Sequence, residues 1–396
     1  MMKKKILHLI THLGIGGAQD NTLLTVEKCD RTRFDVHLAS NPNGKWINRA
    51  KETTPNFHSI PNLVHPIHPF KDALSILDLV RLFRQEQFDI VHTHSTKAGI
   101  VGRWAAHLAK VPVIVHTIHG FAFHDFMPAW KRQLYINLEL CATPCTDFFI
   151  TVSELNRKEA IDLNIVKYEN SQTVYSGIDF SKLDRFSEPS QTRQKLHIPE
   201  DYKVIVMVGR LDKQKAPNLL IDAFNLVVEK LPKTLLLLVG DGELKYNLQQ
   251  QVSKLGISQN VKFLGSREDI PEILKVSDIF ALSSLWEGLG RAMTEAMLLG
   301  KPVVVPNIYG IPEIVHHNET GLLFDAKNIE QIATHLIHLL QHSQERERLG
   351  KNAQQLTRKL FDANVMVAQI EEIYTHLLQT RICTKNELNN SNSVLK

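Results

Sequence analysis

Cysteine is scarce in this chain. Of 396 residues four are cysteines, Cys29, Cys141, Cys145 and Cys383, too few and too scattered for a disulfide framework and with no Cys-x-x-Cys pair to suggest zinc or dithiol chemistry. A reducing cytosol suits such a sequence. Long apolar runs are missing too: no uncharged stretch reaches the about 18 residues that span a bilayer. The start Met-Met-Lys-Lys-Lys-Ile-Leu-His-Leu-Ile has the charge of a secretory leader. Thr11 and His12, however, cut its apolar run short of the about 7–15 residues such a leader needs. There is no basic block either. The 46 Lys and Arg against 42 Asp and Glu leave a net charge of +4, which argues against a dedicated nucleic-acid binder and permits transient contact with anionic lipid. Internal repeats, a Gly-x-Gly-x-x-Gly fingerprint and a Walker lysine are all absent.

What is present is alternation. Short Val/Ile/Leu-rich runs at 5–10, 34–39, 89–92, 113–117 and 148–152 are separated by helical patterns, and a second series follows at 204–208, 235–239, 261–264, 279–283 and 303–305. Alternation of this kind predicts parallel sheets covered by helices on both faces. The length favours two domains, each doubly wound and Rossmann-like. The expected boundaries are 1–180 for the first domain and 181–361 for the second. A helix over 362–380 is expected to pack back on the first domain, before a polar, disordered tail over 381–396. In doubly wound sheets ligands bind beyond the carboxyl ends of the strands, so two such domains facing across a cleft direct attention to the loops after strands.

Several groups of loop residues carry candidate chemistry. Glu287 and Glu295 flank a glycine turn and a helix start in Trp-Glu-Gly-Leu-Gly-Arg-Ala-Met-Thr-Glu. Backbone N–H groups at such a start suit a phosphate, and carboxylates accept hydrogen bonds from sugar hydroxyls. Equally, Glu287 could be a solvated loop acid and Glu295 a glutamate favoured by the helix dipole. Gly209-Arg210-Leu211-Asp212-Lys213-Gln214-Lys215 follows the first strand of the second domain. Its Arg210 fork and Lys215 point charge suit a diphosphate, although both could be surface charges. Gly14-Ile15-Gly16-Gly17-Ala18-Gln19 follows the first strand of the chain, as either a phosphate-approach loop or a packing turn. His92 and His94 share one strand face, but no third ligand appears at metal-binding spacing, so no metal site is expected. His119, beside Gly120 after a strand, is a candidate substrate contact. Phe121, Phe123, Phe126, Trp130, Lys131 and Arg132 form an aromatic and basic cluster. That cluster is either a buried helix flank or a shallow membrane contact.

Taken in order, Gly14 to Ala18, His94-Ser-Thr-Lys-Ala-Gly99, His116-Thr-Ile-His-Gly-Phe121, Val208-Gly-Arg-Leu211 with Lys215, Gly240-Asp-Gly242 and the Glu287/Glu295 pair resemble the family-4 retaining glycosyltransferases of GT-B fold. The region from His94 to Phe126 is most similar to bacterial members that build surface polysaccharide on a polyprenyl-diphosphate carrier. The resemblance implies a nucleotide-diphosphate sugar as co-substrate in the second domain, with no further cofactor, and a glycan or lipid-linked acceptor in the first. It implies that Arg210 and Lys215 neutralise the leaving diphosphate and that Glu295 holds the ribose. Glu287 and His119 would face the donor sugar, the backbone of Gly288, Leu289, Gly290 and Arg291 would lie close to sugar and phosphate, and Gly16 and Gly17 would let the first loop approach. It also implies a cytoplasmic enzyme at the inner face of the membrane. One departure is Gln19, where members often carry Glu. A non-hydrolysing nucleotide-sugar epimerase, of similar architecture, and a non-catalytic sugar-nucleotide binder are the competing expectations.

Overall fold

A computed structural model of the chain describes residues 3–123, 127–182, 189–287 and 289–394. It divides into two units: Met1–Ile178 with Asp362–Lys396, and Asp179–Phe361.

In the first unit the strands are β1 (Lys4–Ile10), β2 (Phe34–Ser40), β3 (Phe57–Ser59), β4 (Ile90–His94), β5 (Val113–Ile118), β6 (Phe148–Thr151) and β7 (Ser171–Thr173). They form one sheet in the order β3-β2-β1-β4-β5-β6-β7, every pair parallel. The two-residue period of a strand sends alternate side chains to opposite faces. Leu7, Leu9, Val91 and Ile114 therefore enter one core with Leu79 and Phe83, whereas Ile6, Ile10, Ile90 and Val113 enter another. That second face is covered by the helix Ala363–Val394, whose Ala363, Met366, Val367, Ile370, Ile373 and Tyr374 are buried at helical spacing. Each of Met366, Val367, Ile370 and Ile373 contributes roughly 1.5–3 kcal/mol of burial free energy, which anchors the helix to this unit. Its chain does not become irregular after Thr380: the helix continues to Val394, because no proline or glycine follows to end it.

The second unit contains β8 (Lys203–Val208), β9 (Thr234–Val239), β10 (Val261–Gly265), β11 (Ile279–Ala281), β12 (Val303–Pro306) and β13 (Leu322–Phe324), in the order β10-β9-β8-β11-β12-β13 and again parallel. Val204 to Met207 and Leu235 to Val239 are buried throughout, as expected of strands covered on both faces. In each unit the strand order reverses beside the first strand, between β1 and β4 and between β8 and β11. Loops leaving neighbouring strands diverge at such a switch point and open a crevice for a ligand.

Candidate active site

In the second unit, backbone hydrogen bonds weld the loops after β8, β9 and β10 to one another. Gly209 N donates to the Val239 carbonyl at 2.9 Å, Leu211 N to that of Asp241 at 3.0 Å, and Gly240 N to that of Gly265 at 2.8 Å. Gly240 has φ +135°, and a Cβ there would run into the Gly209 carbonyl oxygen. Only glycine allows the two loops this approach.

The loop after β8 is stitched with equal density to the loop after β11. Ser283 Oγ donates to the carbonyls of Lys215 (3.1 Å) and Ala216 (2.9 Å). Leu285 N donates to the Gln214 carbonyl at 2.8 Å, and Gln214 Nε2 donates to that of Trp286 at 3.0 Å. Lys215 N, in turn, donates to Asp212 Oδ1 at 3.0 Å. The result places Lys215 Nζ in direct contact with Glu287 Oε1, although 72 positions separate them in sequence, and the side chains are only 16% and 6% exposed. Ser284 Oγ donates to the same carboxylate oxygen at 2.9 Å. Glu287 Oε2 has no partner among the described residues and remains an acceptor.

Arg210 stands further out, with its side chain 68% exposed, between Gln214 Oε1 (2.6 Å) and Asp212 Oδ2 (3.1 Å). A guanidinium in that position is held by exposed contacts worth about 0–1 kcal/mol and can turn to a ligand at little cost. On the other side of the switch point, the helix Arg291–Leu298 starts from Gly290, at φ +76°, with no side-chain cap. The N–H groups of Ala292 and Met293 in its first turn have no acceptor among the described residues and are available to an anion. Arg291 Nε donates to Glu295 Oε1 at 3.1 Å, so these two candidates form an ion pair one turn apart. Leu289 is buried, which leaves only its backbone for a ligand. Gly288 lies outside the described residues. Ser284 and Gln214 carry no local signal in the sequence, since their contacts depend on the meeting of two loops.

In the first unit, Thr11 Oγ1 lies 2.8 Å from Ser95 Oγ and accepts from Ala98 N at 3.0 Å, joining the loops after β1 and β4. Ser95 adopts φ +66° at the start of helix Thr96–Ala109, a strained conformation for a non-glycine residue. Gly16 caps helix Gly17–Lys28 in an extended conformation without a side-chain cap, and a Cβ on it would meet the flexible end of Gln19. The crowding is mild, so Gly16 is consistent with either of its two expected roles.

The histidines depart from expectation. The third imidazole that spacing did not reveal is His8, which pairs in register with His92 across β1 and β4. His8, His92 and His94 bring their ring nitrogens within 4.8 Å of one another in the buried interior. His8 Nδ1 is hydrogen-bonded to His94 Nε2 (3.0 Å), and His94 Nδ1 to His119 Nε2 (3.1 Å). His92 bridges the Tyr374 hydroxyl (2.5 Å) and Thr117 Oγ1 (2.7 Å). Burial disfavours the charged rings, taking His8 down to about 3 and His119 to about 4 and holding His92 and His94 well below the usual histidine range. Three neutral imidazoles are a donor set that fits zinc, yet each of their nitrogens already has a hydrogen-bond partner. His116 is packed under the helix Thr96–Ala109, hydrogen-bonded to Thr93 Oγ1 at 2.8 Å, and a Cβ on Gly99 would strike its ring.

The aromatic cluster divides. Phe123 belongs to a core with Ile118, Ile136 and Phe149 and carries Arg132 over its ring at 5.6 Å, which removes it from any membrane face. Trp130 is 71% exposed at the start of helix Ala129–Ala142, and Phe126 lies outside the described residues. Among the described residues no helix is long and apolar enough to cross a membrane.

Residues 15–182 match Glycosyltransferase Family 4 and residues 189–356 match Glycosyl transferases group 1. The chain is 34% identical over 344 residues, 85% of its length and 88% of the relative's, to the UDP-Gal:alpha-D-GlcNAc-diphosphoundecaprenol alpha-1,3-galactosyltransferase of Escherichia coli. The chain belongs to the family-4 glycosyltransferases. This glycosyltransferase is also 27% identical over 387 residues, 96% of its own length and 99% of the relative's, to the capsular polysaccharide biosynthesis glycosyltransferase CapM of Staphylococcus aureus. Its fold matches that of Anabaena HepE, solved in complex with UDP and glucose, with a TM-score of 0.82 and 26% identity over 94% of this chain and all of the other (100%). WaaG, a glycosyltransferase involved in lipopolysaccharide biosynthesis, shares the fold at a TM-score of 0.74 and 18% identity, covering 93% of this chain and 99% of that one. The architecture is GT-B.

Proposed function

We propose that this glycosyltransferase moves a hexose-type sugar from a nucleotide-diphosphate donor to a polyprenyl-diphosphate-linked or other glycan acceptor, with retention of anomeric configuration and without a metal ion, in surface-polysaccharide assembly at the inner face of the cytoplasmic membrane. The observation that carries this reading is the contact of Lys215 with Glu287 at the β8/β11 switch point, beside an uncapped helix start.

The departing diphosphate gathers negative charge as the glycosidic bond breaks. Lys215 and the start of the helix Arg291–Leu298 are held in place to receive it and Arg210 can turn to join them, and preorganised charge of this kind lowers a barrier without solvent rearrangement. Glu287 takes the catalytic position through Oε2, accepting a donor-sugar hydroxyl while Lys215 and Ser284 hold its other oxygen. Glu295, beside Arg291, accepts the ribose hydroxyls. The backbone of Leu289, Gly290 and Arg291 borders the sugar and phosphates, Gly16 and Gly17 admit a close approach in the first unit, and His119 takes a sugar hydroxyl. The UDP-Gal of the Escherichia coli relative and the UDP bound to HepE favour a uridine diphosphate donor. The diphosphoundecaprenol acceptor of that relative supports a lipid-linked acceptor, and exposed Trp130 beside Lys131 supports shallow contact with anionic lipid.

The test is incubation of the pure protein with labelled UDP-galactose, alone and with GlcNAc-diphosphoundecaprenol. Transfer only when the acceptor is present is expected. Epimerised donor in the absence of acceptor, or no turnover with any UDP-, GDP-, ADP- or TDP-sugar, contradicts the reading.

A further inference from the structure

Six polar groups in the first unit form an unbroken line. Thr117 Oγ1 meets His92 Nε2 at 2.7 Å, His92 Nδ1 meets the Tyr374 hydroxyl at 2.5 Å, and that hydroxyl lies 3.5 Å from His8 Nε2. His8 Nδ1 then meets His94 Nε2 at 3.0 Å, and His94 Nδ1 meets His119 Nε2 at 3.1 Å. Strand periodicity and register build the line: His8, His92, His94 and Thr117 share the sheet face that the helix Ala363–Val394 covers, and His94 pairs in register with Thr117. Tyr374, from that helix, closes the gap between His8 and His92. His119 is half-buried at the end of the line, and among the described residues its Nδ1 has no partner.

A neutral imidazole carries one N–H and one lone pair, and the Tyr374 hydroxyl can donate once. A line of neutral rings must therefore run in one sense throughout. In one sense each group donates toward His119, and His119 is left with Nδ1–H. In the other, each donates away from His119, which then carries its proton on Nε2. The bond lengths at Tyr374 distinguish the two. A phenol O–H is a stronger donor than a neutral imidazole N–H and belongs in the short 2.5 Å bond to His92, not in the 3.5 Å contact with His8. With the hydroxyl donating to His92, His92 donates to Thr117, His8 donates to Tyr374, His94 donates to His8, and His119 donates to His94.

We propose that this relay, closed by Tyr374, fixes His119 as the Nε2–H tautomer and leaves Nδ1 as a bare hydrogen-bond acceptor. Such an atom receives a hydroxyl proton and repels a phosphate or carbonyl oxygen. Burial supports the ordering, since it keeps His8 and His119 unprotonated down to about pH 3 and 4. His8, His92, His94 and Tyr374 are then positioning residues. That His119 receives a sugar hydroxyl rests on the proposed function, whereas the tautomer stands on the hydrogen bonds alone.

The test is a long-range ¹H–¹⁵N correlation spectrum of the full chain labelled in histidine, with His119 assigned by His119→Gln. The Nε2–H tautomer is expected at neutral pH, and the Nδ1–H tautomer overturns the proposal. Tyr374→Phe keeps the buried ring and removes the hydroxyl, and should convert His119 to a mixture of tautomers. An unchanged His119 spectrum in that variant also overturns it. Stoichiometric uptake of zinc with shifts of the His8, His92 and His94 resonances would assign the imidazoles to a metal centre instead. If the protein transfers no sugar while His119 is the Nε2–H form, the proposed function fails and the relay stands.

Discussion

The two units repeat one architecture and furnish it with opposite chemistry. At the β8/β11 switch point the second unit gathers Arg210, Lys215, Glu287, Arg291 and Glu295, all charged, with Arg210 largely exposed. The corresponding strand ends of the first unit hold His8, His92, His94 and His119, neutral and mostly buried. A doubly wound sheet fixes where a ligand can bind but not what it is. The charged end suits a diphosphate, and the neutral end suits hydroxyl groups that need orienting and not neutralising.

The sharpest way to break this comparison is at the Lys215–Glu287 contact. Lys215→Met should lower kcat/KM by about 10²–10³-fold, the range for removal of a preorganised charge-stabilising group. It should also destabilise the protein by leaving the Glu287 carboxylate unpaired in a largely buried site. Adding Glu287→Gln should recover much of that stability without recovering activity. Melting curves and initial rates on the three variants check this, and recovered activity in the double variant would count against separate roles. Arg210→Ala should cost less than Lys215→Met, since its exposed side chain is less firmly placed.

A smaller effect is expected from packing in the first unit. Gly99→Ala drives a methyl group into the His116 ring and should destabilise by about 1–3 kcal/mol, as overpacked cores do, with the donor affinity of the second unit unchanged. Urea titration and nucleotide binding measured on the same variant test both halves of the statement.

The two ends were not equally legible in the sequence. Buried Val/Ile/Leu runs marked the longer strands, and glycines after them marked the loops. Of the four described three-residue strands, β11 lies in the apolar run 279–283, whereas β3, β7 and β13 are too short and too polar or isolated to show a period. Arg210, Lys215 and Glu287 stand out because charge in a glycine-bearing loop after a strand is a local signal. His8 gives no such signal: only the parallel register of β1 against β4 brings it to His92, and only a helix folding back from the far end of the chain supplies Tyr374. Phe123 belonged to an aromatic run that local pattern could not divide into core and surface.

Acid should strike the first unit harder than the second. The buried histidines have folded-state pKa values depressed to about 3 for His8 and about 4 for His119, with His92 and His94 also lowered. The unfolded chain binds protons near pH 6.5 that the native state refuses, so the stability they contribute is complete above that pH and is lost as pH falls toward 4. Each fully buried ring adds a slope of up to about 1.4 kcal/mol per pH unit in that window. Hydrogen exchange at pH 7, 6 and 5 should show protection falling first in β1, β4 and β5. Equal loss in the second unit contradicts the contrast.

The smallest expected effect is that of a chelator. On the proposed reading, in which Lys215, Arg210 and helix N–H groups receive the diphosphate charge, EDTA should leave the transfer rate nearly unchanged, and a rate abolished by EDTA and restored by Mg²⁺ or Mn²⁺ would reassign that role to an ion.

The central claim, that the charged end of the second unit is the donor-diphosphate site, is tested most directly by calorimetric titration of UDP into the wild-type protein and Lys215→Met. A charge-assisted hydrogen bond contributes about 1.5–3 kcal/mol, so the variant should bind UDP about 10- to 100-fold more weakly. Equal affinity in the two proteins would place the diphosphate elsewhere.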